Sequence, residues 1–268
     1  MRLSLVIAVF SILQSSGVVF GQQPYFQQEV NVEIDVTLND DLHQLTGQIQ
    51  MEYINHSPDI LDFIYMHHWP NAYSSAETPL ARQLVQTGQF HFQFSGTENQ
   101  GAIYDLDYRL NGVQASCNYS ETPGDYCRID LPAPLLPGDT LFIETPFAVD
   151  IPGAEVSRFG HDGQAYYITQ WYPKPAVYDS DGWHPMSYLS MGEFYSEFGN
   201  YAVEITLPAN YVVLATGELK NSGERQWLME LDAKTRSTQK FSDVMVHPPS
   251  DSRMKTLRFE QDQIHDFA

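Results

Sequence analysis

Apolar and polar positions alternate along most of this chain with a period of two. In the run 29–39, Val30, Val32, Ile34, Val36 and Leu38 fall on one side, and acids and amides fill most of the other. Successive side chains of a strand point to opposite faces, so this pattern predicts a strand with one buried and one wet face, typical of antiparallel sheets. Asn39-Asp40-Asp41 predicts a turn, and 45–55 the returning strand. Further strand-like runs are 62–68, 103–110, 126–131, 140–149, 164–170, 201–207, 211–215, 226–231 and 256–260, with Pro, Gly, Asn and Asp in nearly every gap. Only 78–87 has helical spacing, with Leu80, Leu84 and Val85 behind a threonine cap. The expected fold is all-β: antiparallel sheets packed as a sandwich or saddle, with one short helix. No internal repeat or linker interrupts the run of strands.

The chain carries 14 Lys and Arg against 34 Asp and Glu in 268 residues, a net charge of −20. That balance excludes a phosphate-backbone partner and disfavours anionic membranes, both of which need clustered cations. An apolar content of 43% excludes an acidic disordered chain. The start has its own logic. Met1 and Arg2 precede an apolar run at 3–13 and small residues up to Gly21. This order predicts a secretory signal peptide over 1–21. Its apolar run is shorter than the roughly 20 residues that cross a bilayer. No later stretch is long enough to span one, so a secreted or periplasmic protein is expected.

Export changes how the two cysteines read. Cys117 and Cys127 flank the turn signal Pro123-Gly124-Asp125, and two strands joined there would set them face to face. An oxidising compartment lets them bond, and so short a loop contributes about 2–3 kcal/mol. Neither a C-x-x-C pair nor a histidine partner points to metal. Asn118-Tyr119-Ser120 also fits the glycan acceptor pattern.

Candidate chemistry is sparse. There is no H-E-x-x-H, G-x-S-x-G, Walker-type loop or G-x-G-x-x-G. His67 and His68 are adjacent on a predicted strand, so they face opposite ways and share an ion poorly. Asp179-Ser180-Asp181-Gly182 opens like a calcium loop, but Ser190 stands where a closing glutamate is needed, so a turn is the better reading. Glu193 and Glu197 would pair as acid and base only on a helix, which their neighbours do not favour. The most distinctive stretch is 166–185, where a buried strand runs into an aromatic, proline-rich loop around Gln170. Such a loop is either an aromatic minicore closing the sandwich edge, which burial favours slightly, or one wall of a ligand cleft.

That stretch contains Thr169-Gln170-Trp171-Tyr172-Pro173, which resembles the Thr-Gln-x-x-Pro segment of aminopeptidase N-type zinc metallopeptidases, the gluzincins of the membrane alanyl aminopeptidase family. Asp35-Val36-Thr37-Leu38, Leu45-Thr46-Gly47 and Tyr53-Ile54-Asn55-His56-Ser57 are similar to that family's opening hairpin. The segment 198–208 followed by Val213-Leu214-Ala215-Thr216-Gly217 resembles a later strand pair. Leu257-Arg258-Phe259-Glu260 and His265-Asp266-Phe267-Ala268 resemble the entry into the catalytic domain, and the Trp-Tyr-Pro-Lys wording is closest to secreted bacterial members.

The resemblance implies a β-rich N-terminal domain at 22–260 and the beginning of a thermolysin-like domain at 261–268. In the family that second domain carries the zinc, on H-E-x-x-H and a distant Glu. Zinc is therefore expected there, with no cofactor on this chain and no catalytic residue in it. This chain alone should be inactive, and its expected partners are the catalytic domain of the same polypeptide and a peptide substrate. The ending Ile264-His265-Asp266-Phe267-Ala268, which breaks off in apolar residues, fits a chain that continues. The motif carries Gln170 over as a contact to the substrate's free amine. Many relatives have an acid two positions on, where this chain has Tyr172; a phenol accepts a hydrogen bond but cannot neutralise an ammonium. Gln170 and Tyr172 are thus the candidate substrate-binding residues, and the departure weakens any strict preference for free amino termini. The alternative is a stand-alone secreted β-sandwich that binds peptide or carbohydrate through 171–183, and a purely structural exported domain is the third reading.

Overall fold

The alternating run becomes strand β1, Glu29–Asn39, whose five aliphatic side chains are all buried. It pairs antiparallel along its full length with β2, Gln44–Ile54, around the expected turn. This computed structural model describes residues 25–120, 124–192, 194–238 and 248–268, so the expected signal peptide lies outside the described residues. β3 is Leu61–His67, and helix α1, Pro79–Gln86, follows with Thr78 as its cap, whose hydroxyl accepts from the Ala81 amide at 3.3 Å. Next come β4, Tyr126–Leu135, and β5, Thr140–Asp150. A small hairpin is formed by β6, Gly160–Asp162, and β7, Ala165–Tyr167. β8, Gly199–Pro208, helix α2, Ser222–Ser237, and β9, Met254–Ile264, complete the chain.

The strands form one nine-stranded sheet centred on β9-β8-β1-β2-β5, and a four-stranded sheet in which Lys174–Pro175, β3, β4 and Cys117–Asn118 are neighbours in that order. The apolar faces meet in one core that includes Ile34, Ile49, Ile64, Ile129 and Val203. The all-β expectation holds. Gly199 has a local reason: a Cβ there would collide with the Val30 carbonyl where β8 enters beside β1.

Several local expectations are corrected. β1 and β8 pair in parallel, so the large sheet is mixed. The segment 226–231 lies inside helix α2, so the single expected helix is one of several. Its apolar cluster fits period two in isolation, but the sixteen residues of the helix are mostly good helix formers. Glu224 in its first turn, Lys234 and Arg236 in its last, and the Asp232–Arg236 pair at 2.8 Å all suit a helix. Residues 211–215 form no strand; Tyr211 instead turns its hydroxyl to Asp40 at 2.7 Å. The run 103–110 breaks where Asp105 takes a φ of +59°, leaving Ala102–Tyr104 and Arg109–Leu110. The strand expected at 164–170 is only β7.

Cys117 and Cys127 are bonded, with Cα atoms 5.5 Å apart, which fits an oxidising compartment. Of the loop between them, 121–123 lie outside the described residues. Among the described residues no helix is long and apolar enough to cross a membrane.

Candidate functional site

Gln170, Tyr172 and Lys174 lie at alternate positions of a segment that bends at Gln170 and Tyr172. All three converge on a single carboxylate, Asp266. Gln170 Nε2 donates to Oδ2 at 3.0 Å, Tyr172 Oη donates to Oδ1 at 2.8 Å, and Lys174 Nζ sits 2.6 Å from Oδ1. The Phe267 amide adds a fourth donor at 2.9 Å. Between them, Trp171 turns the other way and its Nε1 donates to the Phe267 carbonyl at 3.1 Å. The segment 170–174 therefore grips Asp266-Phe267 through both side chain and backbone.

Burial sets the electrostatics. Lys174 is 3% exposed, lies 5.2 Å from the Trp69 ring centre and 4.7 Å from that of Tyr172, and has Asp266 as its ion-pair partner. Burial pushes its ammonium below the ordinary lysine value, against the pull of Asp266. Burial also presses on Asp266, but Lys174, Tyr172 and Gln170 together hold its carboxyl below the usual range, so the pair is ionic. Tyr172 is 1% exposed, with the Tyr201 hydroxyl 3.3 Å away, and burial raises its phenol well above the ordinary value.

Gln170 is the unusual member. Its φ of +48° lies in the left-handed region, sparsely used by residues with a side chain. A carboxylate only accepts, so the amide must turn its nitrogen to Asp266, which leaves Oε1 on the far side. That oxygen is buried and has no partner among the described residues. Buried acceptors are seldom left so, and this one is suited to receive an N–H donor.

The remaining candidates lie elsewhere. His67 and His68 are fully buried and have separate partners. His67 stacks on Trp69 and its Nε2 accepts from the Met186 amide at 3.1 Å. His68 is held between the hydroxyls of Tyr108, 2.7 Å, and Tyr119, 2.8 Å. Burial pushes both imidazoles down to about 3, with Lys174 adding to the effect on His67. His68 lies near Cys117 and Cys127, but bonded cysteines have no thiolate to give and both imidazole nitrogens are taken. That donor set does not fit zinc. Glu193 lies outside the described residues. Glu197 is on no helix; its Oε1 accepts from the Tyr178 amide at 3.0 Å, and burial raises its carboxyl to about 7. Residues 179–182 form the tight turn of a two-stranded hairpin, where Asp179 pairs with His184 at 2.7 Å.

The sequence alone assigns no role to Asp266 or Lys174. One signal was present: a lysine inside an aromatic, proline-rich run in a chain with few cations needs a carboxylate nearby.

No family model and no curated protein matches the chain. Among solved structures it is similar to an M1 zinc metallopeptidase from Deinococcus radiodurans, at 14% identity and a TM-score of 0.43, over 89% of this chain and 40% of that one. A mutant of a Deinococcus radiodurans M1 zinc metallopeptidase bound to a Tyr-Ser-Ala substrate matches at 14% identity and 0.42, over 88% and 39%. The chain thus spans about two fifths of the length of these structures.

Proposed function

We propose that this chain is the non-catalytic N-terminal β domain of an exported zinc-dependent aminopeptidase, and that Gln170, with Tyr172 behind it, lines the substrate cleft. The ordered sequence resemblance supports the family. The observation that carries the site is Gln170 itself, a left-handed residue whose Nε2 is bonded to Asp266 and whose buried Oε1, turned away from that carboxylate, has no partner among the described residues. A substrate ammonium would donate to Gln170 Oε1, while Asp266 Oδ2 accepts from Gln170 Nε2 and fixes the amide's orientation.

Lys174 already balances the charge of Asp266. The site therefore offers acceptors with little net charge, and holds an amine by hydrogen bonds more than by ion pairing. Tyr172 does not touch the amine in this reading; it fixes the orientation of Asp266. The expected preference for free amino termini is accordingly modest. Zinc, when bound by the second domain, would activate water and polarise the scissile carbonyl. Nothing in this chain performs that step.

The test uses the zinc-loaded protein expressed from its complete reading frame. Gln170→Ala should lower kcat/KM for a peptide with a free amino terminus roughly tenfold or more, the size of a hydrogen bond to a charged group, and leave its N-acetylated counterpart unchanged. Unchanged kcat and KM on the free-amine peptide would sink the assignment of Gln170.

A further inference from the structure

The hairpin of β6 and β7 ends three residues before Gln170 and belongs to neither large sheet. An isolated two-stranded hairpin is marginal in water, so its packing contacts decide whether it stays down. His161 bonds through its backbone to Pro152 and Ala154, at 2.9 Å each, and among the side-chain contacts that hold the hairpin is a ring stack. His161 of β6 lies on His43, from the turn between β1 and β2, with ring centres 3.5 Å apart and planes 12° from parallel. His43 holds a φ of +50°, and its Nδ1 is 2.8 Å from the Tyr166 hydroxyl of β7. That hydroxyl donates onward to the Asp40 carbonyl at 3.3 Å, so it receives the proton of His43 Nδ1.

We propose that the stacked His43–His161 pair is an acid-released latch, which holds the 160–167 hairpin against the β1–β2 turn and, on release, frees the segment that carries Gln170. The coupling to Gln170 rests on the function proposed above; the latch itself does not. Parallel imidazoles in contact tolerate one positive charge between them far better than two. A shared metal ion fits poorly, because the lone pairs of stacked rings run side by side and do not converge.

The surrounding charges favour the first proton and leave the second unplaced. On the turn are Asp40, committed to Tyr211 at 2.7 Å and to Ser250, and Asp41. Asp162 flanks His161 on the hairpin, while Glu98 and Asp150 line the cavity that both rings border. The phenols of Tyr166 and Tyr211 are raised by burial and stay neutral. Burial and His43 together hold His161 below its ordinary value, against the pull of the Gly163 backbone and Asp162. Lifted into water, the hairpin takes up a proton that the stack refuses. Falling pH below about 6.5 therefore favours opening, by at most about tenfold per pH unit for one proton.

Hydrogen exchange of amides 160–170, corrected for intrinsic rates and followed from pH 8 to 5 on this chain, reads the opening directly. The latch predicts that opening of 160–167 rises several-fold to tenfold per unit below 6.5, that 168–170 follow, and that His161→Phe, which keeps a ring without a charge, removes the slope. An equal slope in His161→Phe, or none in the wild type, overturns it. Should that variant not fold, NMR titration of the two wild-type imidazoles decides: the latch requires one to titrate well below the other, and two independent ordinary titrations contradict it. None of these readouts uses peptide hydrolysis, so the latch and the amine site fail separately.

Discussion

Lys174 and His67 are register partners across two neighbouring strands, yet the protein buries them in opposite states. Lys174 keeps its charge, because one carboxylate with four donors around it answers the ammonium directly. His67 and His68 stay neutral, because burial disfavours the imidazolium and their hydrogen-bond partners are hydroxyls and an amide, which carry no charge to offset it. The Lys174 charge is one reason His67 remains uncharged. Burial alone therefore does not decide the state of a group; the partner supplied from a distant part of the chain does.

The sharpest way to break this comparison is to remove the partner. Asp266→Ala leaves a buried ammonium unanswered and should cost about 3–5 kcal/mol, read by urea denaturation. Adding Lys174→Met should recover a large part of that loss, since the stranded charge goes with it. A double variant as unstable as the single one would contradict an ionic pair.

A smaller effect comes from pH. The histidines are depressed to about 3, so the unfolded chain binds two protons that the folded one does not, and stability falls as pH drops below 6.5. Glu197 works in the opposite sense. Its carboxyl, raised to about 7, is protonated when folded and ionised when unfolded between 4.5 and 7, so its contribution is lost as pH rises through that window. Between pH 6.5 and 4.5 these three groups leave one net proton, a slope of about 1.4 kcal/mol per unit. Glu197→Gln should roughly double that slope, and an unchanged slope would show that Glu197 ionises freely. Smaller still, Tyr119→Phe removes one hydroxyl from His68 and should cost about 0.5–1.5 kcal/mol while leaving the Lys174 region unaffected.

These distant pairings also mark where sequence stops being legible. β1 and β2 could be read because one buried face imposes a strict period of two over eleven residues each. The cysteines could be read because their loop is short and local. Helix α2 could not, because none of its residues is buried and no clean apolar stripe marks its period. Gln170 stood out as a polar residue among aromatics. Its partner did not, since nothing between 174 and 266 signals that the chain returns to the same place. The stack of His43 on His161 joins parts of the chain farther apart still and leaves no local trace.

The most direct test of the central claim is to read the encoding nucleotide sequence beyond codon 268. The account predicts an open frame that continues into H-E-x-x-H with a glutamate further downstream, which places zinc and water activation in the same polypeptide. A stop codon immediately after Ala268 would contradict it, leaving a disulfide-bonded β protein in which Gln170 has no assigned role.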